Sequence, residues 1–76
     1  MVKIYLTTIT DNIVTLLCYP NGVKDESFYV KIDLESKKMI DEEFKNDAYA
    51  IHAMWKIIHE YETTGIIPLE STAIWS

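Results

Sequence analysis

His52 and His59 are the only histidines in the chain. With Glu62 they sit in one stretch, NDAYAIHAMWKIIHEYETTG, residues 46–65. Imidazole and carboxylate groups within reach of one another can exchange protons with a substrate or hold a small ligand. These three residues are therefore the candidates for a ligand site on the flank of a helix. Their spacing excludes a shared metal ion. Chelating pairs on a helix lie three or four positions apart, whereas residues 52 and 59 are separated by about 10 Å along the axis. Lys56 lies between them and repels a cation. Cys18 is the only cysteine, so an intramolecular disulfide and a cysteine-based zinc site are both excluded. It falls on an apolar strand face, where burial raises the thiol pKa and suppresses the thiolate nucleophile. The acidic run DEE at 41–43, with Asp47, lacks the spaced oxygen ligands and the turn glycine of a calcium loop. Gly22 and Gly65 are the only glycines, so no glycine-rich phosphate loop is present. The expectation is a protein without metal, cofactor or catalytic residues.

The elements that would position these residues follow from hydrophobic period. VKIYLTTI (2–9) and IVTLLCY (13–19) alternate and are rich in β-branched and aromatic residues, which predicts two strands. A three-residue loop, Thr10–Asp11–Asn12, pairs Ile9 with Ile13 and gives Asn12 a left-handed backbone. In that register Ile4, Leu6, Val14, Leu16 and Cys18 share one face. Lys3, Tyr5, Thr7, Thr15, Leu17 and Tyr19 share the other. PNGVKDE is a loop. SFYVKID is a third strand, with Phe28, Val30 and Ile32 inward and Tyr29, Lys31 and Asp33 outward. Met39 and Ile40 start a short fourth strand. A helix begins at Asn46 or Asp47 and ends at Gly65, with Pro68 close behind. On a wheel its apolar stripe is Ile51, Met54, Trp55, Ile58 and Tyr61, flanked by Ala48, Ala50 and Ile57.

The fold class expected is α+β: an antiparallel meander of about four strands, then one long C-terminal helix packed on one face. An apolar tail or short strand follows, and residues 1–76 form a single small domain. The expected core is Ile4, Leu6, Val14, Leu16, Phe28, Val30, Ile32, Ile51, Met54, Trp55 and Ile58. Trp55→Ala is then expected to cost about 3–5 kcal/mol. Glu60 and Glu62 occupy the last helical turn, where the helix dipole disfavours them. A frayed end, with both carboxylates in water, accounts for their presence. The tail, with Ile66, Ile67, Leu69, Ile74 and Trp75, needs cover. It docks on the sheet, or it pairs two copies of the chain through residues 66–76.

The outward face of the sheet carries Tyr5, Tyr19 and Tyr29 beside Leu17. Tyrosine stabilises strands and is enriched where proteins touch, so these four are the candidates for protein contact. The formal net charge is −5, and the seven basic residues are all lysines. Without arginine, and with an acidic balance, binding to nucleic acid or to anionic membranes is not expected. A protein partner, basic or neutral, is. The opening residues lack a signal peptide's long apolar run, and no stretch is long enough to cross a bilayer. The lone thiol fits a reducing compartment, and the expectation is a complete cytoplasmic protein beginning at Met1. Abundant isoleucine and lysine without arginine match the coding bias of an AT-rich bacterial or phage genome. The function expected is a small acidic binding module or inhibitor. The alternatives are a homo-oligomeric structural protein built on the tail, and a ligand binder or enzyme around the helix-flank histidines.

Overall fold

The alternating segments do form strands, and they pair in the order of the chain. In a computed structural model, which describes residues 1–75, they are β1 (Val2–Thr10), β2 (Ile13–Pro20), β3 (Phe28–Asp33) and the two-residue β4 (Lys38–Met39). A seventeen-residue helix, α1 (Ala48–Thr64), follows. The chain then returns as β5 (Glu70–Ala73), antiparallel to β1. The sheet is antiparallel, of order β4-β3-β2-β1-β5, with α1 on one face. The class is the α+β arrangement expected from the sequence, with the tail resolved as a fifth strand. Ser76, the last residue of that tail, lies outside the described residues.

The first hairpin reaches the expected faces by a different route. Thr10 pairs with Ile13, so the turn is the two residues Asp11 and Asn12. The left-handed residue is Asp11, at φ 56°, and not Asn12. Two-residue turns with a positive φ at their first central position match the twist of the strands they join. A register shift between Leu6 and Thr8 then restores Leu6 opposite Leu16 and Ile4 opposite Cys18. Thr7 is the extra residue of a β-bulge, which absorbs the slip that would otherwise turn one strand over.

The core consists of Val2, Ile4, Val14, Leu16, Cys18, Val30 and Ile32 from the sheet, Ala50, Ala53, Met54, Ile57 and Ile58 from the helix, and Ala73 from β5. Leu6 and Phe28 are only partly buried against it. The helix is turned by roughly a quarter of its 3.6-residue repeat from the expected stripe. Trp55 is 51% exposed, Tyr61 is exposed and Ile51 is half-buried. Ala50 and Ala53 explain the rotation. The sheet already fills the interface with branched side chains, and two alanines let the helix backbone approach them closely. A tryptophan at that position would have to overpack the layer.

Both helix ends are defined. Asp47 caps the start, its carboxylate accepting from the Ala50 amide at 3.0 Å. Gly65 ends it at φ 76°, its amide donating to the Tyr61 carbonyl at 2.8 Å. The last turn is not frayed. Thr63 and Thr64 hydroxyls donate to the His59 and Glu60 carbonyls. Both glutamates have partners across the fold. Glu60 accepts from the Ser71 hydroxyl at 2.8 Å and pairs with Lys56 at 3.2 Å, and Glu62 pairs with Lys37 at 2.7 Å.

Candidate functional site

The helix-flank candidates are drawn apart by their separate contacts. His52 lies under the C-terminal tail, stacked on Trp75 with ring centroids 4.0 Å apart and planes 9° from parallel. Tyr49 meets the same indole edge-on. His59 is exposed. Glu62 is held by Lys37 from the β3–β4 turn. Cys18 is fully buried, and burial, reinforced by the Asp47 carboxylate, pushes its thiol up to about 12. At neutral pH it is a thiol, with negligible nucleophilic thiolate.

The outward sheet face does gather the tyrosines. Tyr5 and Tyr19, diagonal neighbours across β1 and β2, lie 4.9 Å apart with tilted rings. Leu17 sits between its partners Tyr5 and Tyr29, half-buried by them. Tyr29 itself is 57% exposed. By register this face also carries Lys3, Lys31 and Lys38 against Asp33 and Glu70. The acidity of the chain is therefore concentrated elsewhere, in its loops and its two 3₁₀ turns, Lys24–Glu26 and Glu42–Phe44.

The most unequal features are the two edges of the sheet. In an antiparallel ladder alternate residues turn their backbone groups to opposite sides. At the far side of β3, Lys31 is bonded twice. Its amide donates to the Asp41 carboxylate at 2.6 Å, and its carbonyl accepts from the Ile40 amide at 2.9 Å. Asp33 pairs with Lys38. Phe44, from the 3₁₀ turn Glu42–Phe44, stacks on Phe28 at 4.6 Å. Along β3, that side is therefore taken up at Lys31 and Asp33 and left open at Tyr29 among the described residues.

At β5 the Leu6 amide donates to the Leu69 carbonyl at 2.9 Å. The alternation then turns the backbone of Ser71 and Ala73 toward β1 and that of Glu70 and Thr72 toward solvent. The three most exposed large apolar side chains of the described residues lie in the segment that carries this edge: Leu69 at 79% and Ile74 at 82% directly flank β5, and Ile66 at 70% follows the helix. A hollow of about 270 Å3, lined by Lys3, Tyr5, Glu70, Ser71 and Thr72, adjoins it. The strand is anchored from behind, because the Ser71 hydroxyl is bonded to Glu60. That hydrogen bond, with Lys56 beside it, holds the Glu60 carboxyl below the usual carboxylate range.

No protein-family model, curated protein or solved structure matches the chain. The reading of the site therefore rests on its geometry. Of the contact residues expected from the sequence, only Tyr5 borders the open edge. The apolar tail signalled this edge in the sequence, but its pairing partner, β1, could not be read from composition.

Proposed function

We propose that this protein is a small, non-enzymatic binding module that takes up an extended segment of a partner protein along β5, as a sixth strand. The observation that carries this reading is the backbone of Glu70 and Thr72, which the register turns away from β1 and which no strand among the described residues covers, flanked by exposed Leu69 and Ile74. An added strand satisfies such groups with main-chain hydrogen bonds and places alternate side chains in whatever hollows adjoin the edge. Here that hollow is bounded by Lys3, Tyr5 and Glu70. The charge of −5 favours a neutral or basic segment over an acidic one. It also disfavours nucleic acid and anionic membranes, as does the lack of arginine. A single buried thiol suits a reducing, cytoplasmic setting.

The test uses Thr72→Pro. The Thr72 amide faces the open edge, so proline removes a donor the fold does not use, and edge strands accept proline at such positions. Peptides selected from a displayed random library on the immobilised protein are then measured against both forms. The expected result is an unchanged unfolding transition and at least tenfold weaker binding by the variant. Peptides that bind both forms equally, or no selection of peptides at all, would remove the proposal.

A second reading uses the same edge. Two copies could pair β5 with β5 about a two-fold axis, covering Ile66, Leu69 and Ile74 on both. Sedimentation equilibrium separates the two readings: a dimer that Thr72→Pro dissociates favours self-pairing, and a monomer favours a foreign strand.

A further inference from the structure

Resting on the strand uptake argued above, we propose that the hollow beside β5 is a specificity pocket for one basic side chain, so that the partner segment bears arginine or lysine opposite Glu70. Side chains alternate along the segment that carries the edge. Ser71 reaches Glu60, Ala73 is buried and Trp75 lies on His52, so all three turn to the helix. Glu70, Thr72 and Ile74 therefore turn to the other face, where Tyr5 pairs with Glu70 and Lys3 with Thr72. The hollow on that face, about 270 Å3, is smaller than the roughly 300–1,000 Å3 of sites that take whole small molecules. It suits a single long side chain.

The β1 side chains make the hollow by leaning away from β5. The Tyr5 ring lies against Tyr19 of β2, with centroids 4.9 Å apart. The Lys3 chain lies over Gly22, in the turn after β2, its Cε 3.7 Å from where a Gly22 Cβ would stand. The charge on the β5 side is then that of Glu70, which is exposed and has no ion pair among the described residues. Lys56, the other cation near β5, is on the helix side and paired with Glu60. A side chain opposite Glu70 on the added strand enters the hollow between this carboxylate and the Tyr5 ring. Opposite charges that face one another across two strands stabilise the pair, and an aromatic ring attracts a cation. The charge of −5 adds to both. An acidic side chain would face Glu70, with Lys3 turned aside. An apolar one would strip water from Glu70 and Lys3 without replacing it. Apolar contact belongs instead at Ile74, 82% exposed on the same face and four residues along. The partner segment therefore carries its basic and apolar residues four positions apart, in either strand direction.

The probes are peptides from a displayed random library, selected in parallel on the parent protein and on Glu70→Lys. The expected result on the parent is arginine or lysine enriched at one position, with an apolar residue four positions away. On Glu70→Lys, aspartate or glutamate should take the place of the basic residue. A parent-selected peptide should bind Glu70→Gln roughly two- to fivefold more weakly, the range of one cross-strand charge pair, with the unfolding transition unchanged. Thr72→Pro separates this inference from the reading on which it rests. Peptides that Thr72→Pro weakens, but that show no basic preference or bind parent and Glu70→Gln alike, leave strand uptake standing and overturn the pocket. So does enrichment of acidic residues on the parent, which would give the hollow to Lys3. Peptides that bind Thr72→Pro as well as the parent, or no selection of peptides at all, overturn both.

Discussion

At the β4 edge the chain spends three devices on closing its sheet: a strand of only two residues, an aspartate carboxylate placed where the next strand's carbonyl would be, and a phenylalanine stacked across the end. At the β5 edge it spends none of them. β5 has four residues, its outward amides face solvent, and exposed leucine and isoleucine stand at its ends. Uncovered edges invite pairing with other chains, and proteins ordinarily blunt them with charge, proline, short strands or cover. One sheet treated in both ways is the contrast on which the proposed uptake of a strand at the open side rests. Glu60 makes the same point from the helix. It fixes Ser71 from behind, so β5 is held flat against β1 while its other side remains available.

Removing β5 should have the largest effect. Deletion of residues 66–76 uncovers Val2 and Ile4 along β1 and removes buried Ala73. The loss should exceed the ~5 kcal/mol at the lower end of domain stability, and circular dichroism should show an unfolded chain. A truncated form that melts cooperatively would show that β5 is an appendage, and the two edges would no longer be parts of one sheet.

Next come the two sides of the helix that spans between the edges. Ile57→Ala should cost about 2–5 kcal/mol, whereas Trp55→Ala, half in water, should cost less than about 1 kcal/mol. Urea unfolding midpoints decide it, and the reverse order would mean that the helix faces the sheet differently.

Asp41→Ala should cost about 1 kcal/mol by removing the acceptor of the Lys31 amide, with faster hydrogen exchange at that amide. Unchanged exchange would show that the β4 edge is not closed by Asp41.

The smallest effect is at the β5 anchor. Ser71→Ala should cost about 0.5–1 kcal/mol near neutrality. Because the folded Glu60 carboxyl titrates below its ordinary 4.5, its ionised form contributes stability that is complete above that value. The contribution is lost as pH falls through the lowered folded value. The Ser71→Ala variant should therefore lose less stability on acidification below about pH 4.5 than the parent. Parallel pH profiles would remove Glu60 as the anchor.

Strand faces, helix caps and fold class were legible because each depends on local period or on one residue type at one position. Asp47 and Gly65 bound the helix as a capping reading requires, and Val14, Leu16, Val30 and Ile32 are buried as their alternation implies. What sequence could not give depended on volume and on long-range pairing. A wheel weighted by large side chains places Trp55 inside, while the fold puts Ala50 and Ala53 there to bring two backbones together. The hairpin turn was one residue shorter than the faces required, and the bulge at Thr7 that compensates has no glycine to announce it. His52, His59 and Glu62 share a helix flank in sequence, yet Trp75 and Lys37 pull two of them to separate neighbours. Glu62 and Lys37 are 25 positions apart, beyond the reach of any local rule.

The most direct measurement is residue-resolved amide hydrogen exchange at a concentration where the protein sediments as a monomer. The account predicts fast exchange at Glu70 and Thr72, with slow exchange at Ser71, Ala73 and Lys31. Protection at Thr72 equal to that at Ser71, or a Lys31 amide as fast as Thr72, would contradict it, because the two edges would then be alike.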